Sequence, residues 1–216
     1  VWIGTADGAY VFEGGDEAPA RVELPELTGR RVNDVVVDPG GVVWFCTDKG
    51  LVRVVGDEVT SINQMEIPFG GQDRPYPLRE MAGLSATGAL SELGEVLCGV
   101  ASGDSLWFGL HDAIVRYIPQ ENAWSAQTHY WRWGFILGCI GSFGPPRPIR
   151  DCRQLAADGS GLVWALAQDA PLAWNPRSKS PIWETGYVLN GDGDDSAVVP
   201  FYKFYQVIPQ ADTSGS

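Results

Sequence analysis

The sequence predicts an all-β fold built from repeated small antiparallel sheets, and three observations carry that expectation. Tryptophan recurs at corresponding places, at Trp2, Trp44, Trp107 and Trp164. Behind each stands a small residue six positions on, then apolar residues eight and ten positions on. The two ends of the chain continue the same phase. Asp38 and Asp158 precede Trp44 and Trp164 by six residues, and Asp212, carried past Ser216 onto Val1, precedes Trp2 by six.

Each unit resolves into strands. The Trp-bearing segment leads to Gly8, Gly50, Ala113 or Ala170, small residues suited to a tight hairpin turn, where Gly admits positive φ. Next come Tyr10, Val52, Val115 and Leu172, with Phe12, Val54, Tyr117 and Trp174 two positions further. The more tolerant position between them holds Val11, Arg53, Arg116 and Ala173, the alternation of a strand with one buried face. Val35–Val37, Val96–Val100 and Leu155–Ala157 precede three of the tryptophans as continuous runs, the pattern of strands buried on both faces. Tyr205–Ile208 would serve Trp2 in the same way. Arg21–Leu24, Glu58–Ile62 and the stretches after Trp124 and Trp183 are candidates for an outer strand.

Three or four short strands recurring about every 50 residues are the blades of a β-propeller. Four units fill the chain, so four blades is the simplest count. The N- and C-terminal strands would then share one blade, with an inner strand near 202–208 and the rest from 1–24. Four blades of a larger propeller satisfy the same spacing. One domain over 1–216 is expected, with insertions at about 63–95 and 125–150. The first leaves room for a short helix over Leu78–Leu93.

Composition narrows the partners. Hydrophobic residues make up 44% of the chain and charged residues 19%, the balance of a folded globular protein. A net charge of −12 repels phosphate backbones, and no basic stripe opposes it, which argues against nucleic acid. No apolar run is long enough for a membrane span. Val1 falls inside an expected strand, so the chain reads as a processed or excised piece. Cys139 and Cys152 flank a Gly/Pro-rich loop and are candidates for a bridge. Cys46, beside Trp44, reads as a small buried hydrophobe.

Trp2-Ile3-Gly4-Thr5-Ala6-Asp7-Gly8 and Asp38-Pro39-Gly40-Gly41-Val42-Val43-Trp44, continued by Phe45-Cys46-Thr47-Asp48-Lys49-Gly50-Leu51, resemble the two-component-regulator propeller repeat. The pattern there is an Asp and Gly turn, then Trp-(Ile/Val)-Gly-Thr, then a Gly-Leu hairpin. Trp107-Phe108-Gly109-Leu110 keeps part of it, and Trp164-Ala165-Leu166-Ala167 has lost the Gly and Thr. The resemblance implies an extracytoplasmic sensor domain, periplasmic or secreted.

Function is sought where the repeat makes no demand. The repeated tryptophans themselves read as packing between neighbouring sheets. His129 and the cluster Tyr130-Trp131-Arg132-Trp133 in the second insertion are the candidate binding residues. Aromatic faces beside an Arg suit a sugar ring or a protein partner, the rival reading being one face of a covered outer strand. Asn190, Asp192 and Asp194 alternate oxygen donors as the first ligands of a calcium loop do, although Phe201 stands where the last acidic ligand would be. Calcium is the one cofactor suggested.

Catalysis has little support. The chain has two histidines, and His111 sits where other units carry ordinary turn residues. The expectation is a non-catalytic recognition module for a soluble, carbohydrate-like ligand or a protein partner. A structural subunit of a larger assembly is the alternative, and a polysaccharide lyase or hydrolase comes third.

Overall fold

The computed structural model describes residues 1–12, 14–15, 18–66, 90–136, 139–142, 147–158, 161–167, 171–174 and 183–185. The first sheet is formed by β1 (Trp2–Thr5), β2 (Gly8–Val11) and β3 (Ala20–Arg21). The second follows as β4 (Val32–Val37), β5 (Val43–Thr47), β6 (Gly50–Val55) and β7 (Glu58–Ile62), paired antiparallel in chain order. After it, β8 (Gln64–Glu66) and β9 (Leu90–Glu92) make a separate two-stranded ribbon.

The third sheet is β10 (Val96–Ser102), β11 (Ser105–Leu110), β12 (Ile114–Ile118) and β13 (Ala123–Gln127). Then come β14 (His129–Ile136), β15 (Cys139–Ser142) and β16 (Arg147–Pro148). The fourth sheet runs β17 (Gln154–Ala157), β18 (Val163–Leu166), β19 (Pro171–Trp174) and β20 (Trp183–Thr185), and continues through a parallel β20–β14 pair to β15, with β16 paired to β14. These sheets are blades of a β-propeller: among the described residues they are built on antiparallel meanders of three or four strands, each packed face to face against the next. Among the described residues the only helix is the 3-10 turn Pro25–Leu27, and none is long and apolar enough to cross a membrane.

Three hydrophobic clusters hold the stack, one per sheet-to-sheet junction. Ala9 of the first sheet meets Val32, Val43, Phe45 and Val52 of the second. Val36, Trp44, Cys46 and Leu51 of the second meet Leu106, Phe108, Leu110, Val115 and Tyr117 of the third. Cys98, Trp107 and Ile114 of the third meet Leu155, Val163, Leu172 and Trp174 of the fourth. Side chains alternate across a strand, so Val43 and Phe45 point back to the first sheet while Trp44 and Cys46 point forward to the third.

Every residue of β5 and of β11 is therefore buried. The sequence assigns two-sided burial to the strand before, but in β4 only Val32 and Val36 are fully buried. The second strand is flanked by partners within its own sheet and by a sheet on each face. The innermost strand has one free side.

The tryptophans bridge the junctions. Trp2 meets the Phe45 ring edge-on at 5.6 Å, Trp44 lies 5.7 Å from Phe108, and Trp107 lies 4.9 Å from Trp174. Arg53 pairs across the strands with Trp44, and Arg116 with Trp107. Their guanidinium carbons stand 5.6 and 5.3 Å from those ring centres. The tolerant position of the repeat is thus the one that covers the Trp ring, and a cation suits it.

The hairpin residues have local reasons too. Thr47 Oγ1 donates to the Gly50 carbonyl at 2.7 Å and accepts from the Lys49 amide at 3.1 Å. Thr5 repeats both bonds around Gly8. Gly50 needs its φ of 93°, and a Cβ there would collide with the Ile62 carbonyl oxygen.

The first insertion differs from expectation at its end. Residues 90–92 form a strand, not the close of a helix, and Leu93 is buried in the second junction; 78–89 lie outside the described residues. The closing strand near 202–208, and with it the pairing of Val207 with Trp2, also lies outside them.

Candidate functional site

The described innermost strands β4, β10 and β17 start on one edge of the stack. The register pairs Val32 with Thr47 and Val96 with Leu110, so the β5–β6 and β11–β12 hairpins turn on that edge as well. Sequence there is free of the core's demands, and it carries a charged network.

Arg31 precedes β4, Glu95 precedes β10, and Asp151 and Arg153 precede β17, while Asp48 and His111 sit in the two hairpins. The Arg31 guanidinium donates to Glu95 Oε1 at 2.5 Å and to Asn33 Oδ1 at 3.0 Å. Its backbone amide donates to Asp48 Oδ1 at 3.1 Å. Asn33 Nδ2 donates to Glu95 Oε1 at 3.1 Å and to the Val96 carbonyl at 2.8 Å. His111 lies between two acids, with Nδ1 2.5 Å from Asp151 Oδ1 and Nε2 3.4 Å from Glu95 Oε2. Arg153 stands 3.7 Å from Asp151 Oδ2. The network crosses from the second sheet to the third and on to the approach to the fourth.

The charges tune one another. The hydrogen bond to Asp151 raises the His111 pKa; partial burial opposes this, and Glu95 adds to it. Burial pushes Glu95 upward, but hydrogen bonds from Arg31, then His111 and Asn33, outweigh it and hold the carboxyl below its ordinary value. The His111 hydrogen bond likewise lowers Asp151. Shifts that arise from specific charged partners mark these groups as a candidate site, as they would any structural ion-pair network. His111 is 56% exposed and Arg31 51%, so the network faces solvent, although both His111 ring nitrogens are already held by the two acids.

The opposite edge is occupied by its own turns. Asp38 Oδ1 accepts from the Gly40 and Val42 amides at 2.8 and 2.9 Å, and Asp158 Oδ1 from Leu162 at 3.0 Å. The Asp that sets the repeat's phase is a turn residue.

The sequence candidates fall elsewhere. Tyr130 is 2% exposed and belongs to the junction of the third and fourth sheets. It packs there and does not offer a free ring. His129, Trp131, Arg132 and Trp133 occupy β14, whose backbone pairs parallel with β20 at Trp131↔Glu184 and Arg132↔Thr185. β14 thus follows β20 in the fourth sheet, with β15 paired beyond it. His129 pairs with Pro148, three residues before Asp151, so β14 begins beside the charged edge. Asn190, Asp192 and Asp194 lie outside the described residues, and no cluster suited to a metal occurs among the described ones. Sequence reading passes over Arg31, Glu95 and Asp151 and treats His111 as an ordinary turn. The signal that could have found them is a His at a turn position together with acids at the entry of two innermost strands.

No protein-family profile matches the sequence, and no curated protein matches it. Among solved structures the chain is similar to one described as YCF48 bound to D1 peptide. Identity there is 16% and the TM-score 0.47, over 85% of this chain and 48% of that one. It is also similar to the extracellular domains of two hybrid two-component systems from B. thetaiotaomicron. One is 10% identical with a TM-score of 0.41, over 67% of this chain and 17% of that one. The other is 14% identical with a TM-score of 0.40, over 90% and 27%. The chain spans less than half the length of each. With every score below 0.5, the fold rests on the chain's own sheets.

Proposed function

We propose that this chain is a non-catalytic recognition module, of the extracytoplasmic sensor type, that takes a soluble carbohydrate-like ligand on the edge bearing Arg31, Glu95, His111 and Asp151. The network of these side chains across three successive sheets carries the reading. It gathers fixed donors and acceptors where the repeat imposes no residue type, and a polyhydroxylated ligand pairs with both kinds. The beginning of β14 beside this edge supplies the direction in which its aromatic residues would extend the surface. The extracytoplasmic location rests on the resemblance of the repeats.

The test is a thermal-shift screen with neutral and acidic oligosaccharides, followed by calorimetry on any that stabilise the protein. Arg31→Ala and Glu95→Gln should each weaken binding about tenfold or more, the loss expected for one charge-assisted hydrogen bond. Asp57→Ala, in the β6–β7 turn on the opposite edge, should leave binding unchanged. A saccharide whose affinity ignores both edge variants would move the site elsewhere. Silence across the panel, with a protein partner that co-elutes and is lost in those variants, would replace this reading by the structural-subunit one.

A further inference from the structure

Three described cysteines are buried free thiols, and two of them converge. Cys98 lies on β10 and pairs across the sheet with Gly109 of β11. Cys152 leads into the fourth sheet, and its amide donates to the carbonyl of Leu110, the residue beside Gly109. The Cys98 thiol donates to the Cys152 carbonyl at 3.2 Å. A Cβ on Gly109 would stand 2.7 Å from the Cys98 sulfur and 2.7 Å from the Cys152 sulfur. Both sulfurs therefore sit over one glycine, no farther apart than twice that distance, in a space that any side chain at 109 would fill.

The two sulfurs are aimed at the same point from adjacent backbones, and side-chain rotation is what would bring them to bonding distance. We propose that Cys98 and Cys152 form a disulfide that joins the third sheet to the fourth when the chain folds in an oxidising compartment. This assigns Cys152 a partner other than Cys139. It stands on the thiols' geometry and is independent of what the charged edge binds.

The chemistry is exchange with a small or protein disulfide. One cysteine thiolate attacks the donor's sulfur and releases a thiol, and the second displaces the other half. Two protein thiols and one donor disulfide become one protein disulfide and two donor thiols, with two electrons passing to the donor. Cys98 is 5% exposed and Cys152 fully buried, so an oxidant reaches them only before the sheets dock. In the folded chain the thiol of Cys98 is held upward by its contact with Cys152 and by burial, which leaves it inert. The same burial shields the finished bond from reductants. Because Asp151 adjoins Cys152 and His111 adjoins Leu110, the bond would also pin the carboxylate that holds His111.

The experiment refolds the reduced chain in oxidised and reduced glutathione, quenches it with acid, alkylates free thiols under denaturing conditions and maps the peptides by mass spectrometry. The expected result is a peptide linking Cys98 to Cys152, with Cys46 and Cys139 alkylated. The link should persist in Cys139→Ser, and the oxidised protein should melt roughly 5–15 °C above its reduced form. A peptide linking Cys139 to Cys152, any link through Cys46, or four alkylated thiols in chain that has regained its cooperative melt overturns the assignment. The unmutated chain distinguishes these outcomes, so no variant need fold.

Discussion

At the scale of single residues, glycine and histidine make opposite demands. Gly50 is required twice, by its φ and by the Ile62 carbonyl oxygen standing where a Cβ would lie. Gly50→Ala should therefore cost about 2 kcal/mol or more, read as a lower urea midpoint at unchanged slope. Gly41, equally left-handed at φ 81° but with nothing near it, should tolerate Asn. His111 is constrained by charge. Its pKa is raised on folding, so its contribution is full below its unfolded value near 6.5 and is lost as pH rises through the folded value. Glu95 and Asp151 are lowered, so theirs is present above about pH 4 and lost as pH falls through their folded values. Stability from this network should peak on the mildly acidic side of neutral. His111→Gln should remove the alkaline slope in melting temperatures measured from about pH 5 to 9, and a slope unchanged by it would assign the effect to other groups.

At the scale of elements, the second strand of each sheet is the informative one. Trp44 and Phe45 are neighbours in the chain but belong to different junctions. Each, cut to Ala, should cost about 3–5 kcal/mol. Hydrogen exchange should place the loosening between the second and third sheets for Trp44→Ala, and between the first and second for Phe45→Ala. Identical exchange patterns would mean that the sheets open as one unit.

The strands are legible because each unit repeats a local pattern, a Trp, a hairpin (Thr-capped in the first two) and an alternating partner strand. Two-sided burial is not. Val35–Val37 is more uniformly apolar than the Trp segments and draws that assignment, yet apolarity alone does not reveal how many neighbours a strand has. The charged edge is illegible for a related reason. Arg31, Glu95 and Asp151 are far apart in sequence and meet only because three innermost strands start side by side. The tryptophans of β14 stand out by density alone, which says nothing of orientation.

At the scale of the molecule, the chain carries a net charge of −12. Its described attractive pairs are few and mostly exposed. Self-repulsion then outweighs the screened pairs, and raising salt from about 0.02 to 0.2 M should increase the melting temperature. A decrease would mean that the ion pairs of the charged edge dominate. Ligand binding there would show the reverse salt trend if Arg31 contacts an acidic sugar.

The three junctions also have a consequence for how such a chain can grow. A sheet whose second strand presents one face to its predecessor and the other to its successor behaves as a tile. Whole tiles can be gained or lost with every remaining seam still matched. Extra residues inside a tile would split a seam, so they collect where one tile hands over to the next. Residues 63–95 run from β7 to β10, and 125–150 from the end of β13 towards β17. Both sit at handovers, and both lead into the edge where Glu95 and Asp151 emerge.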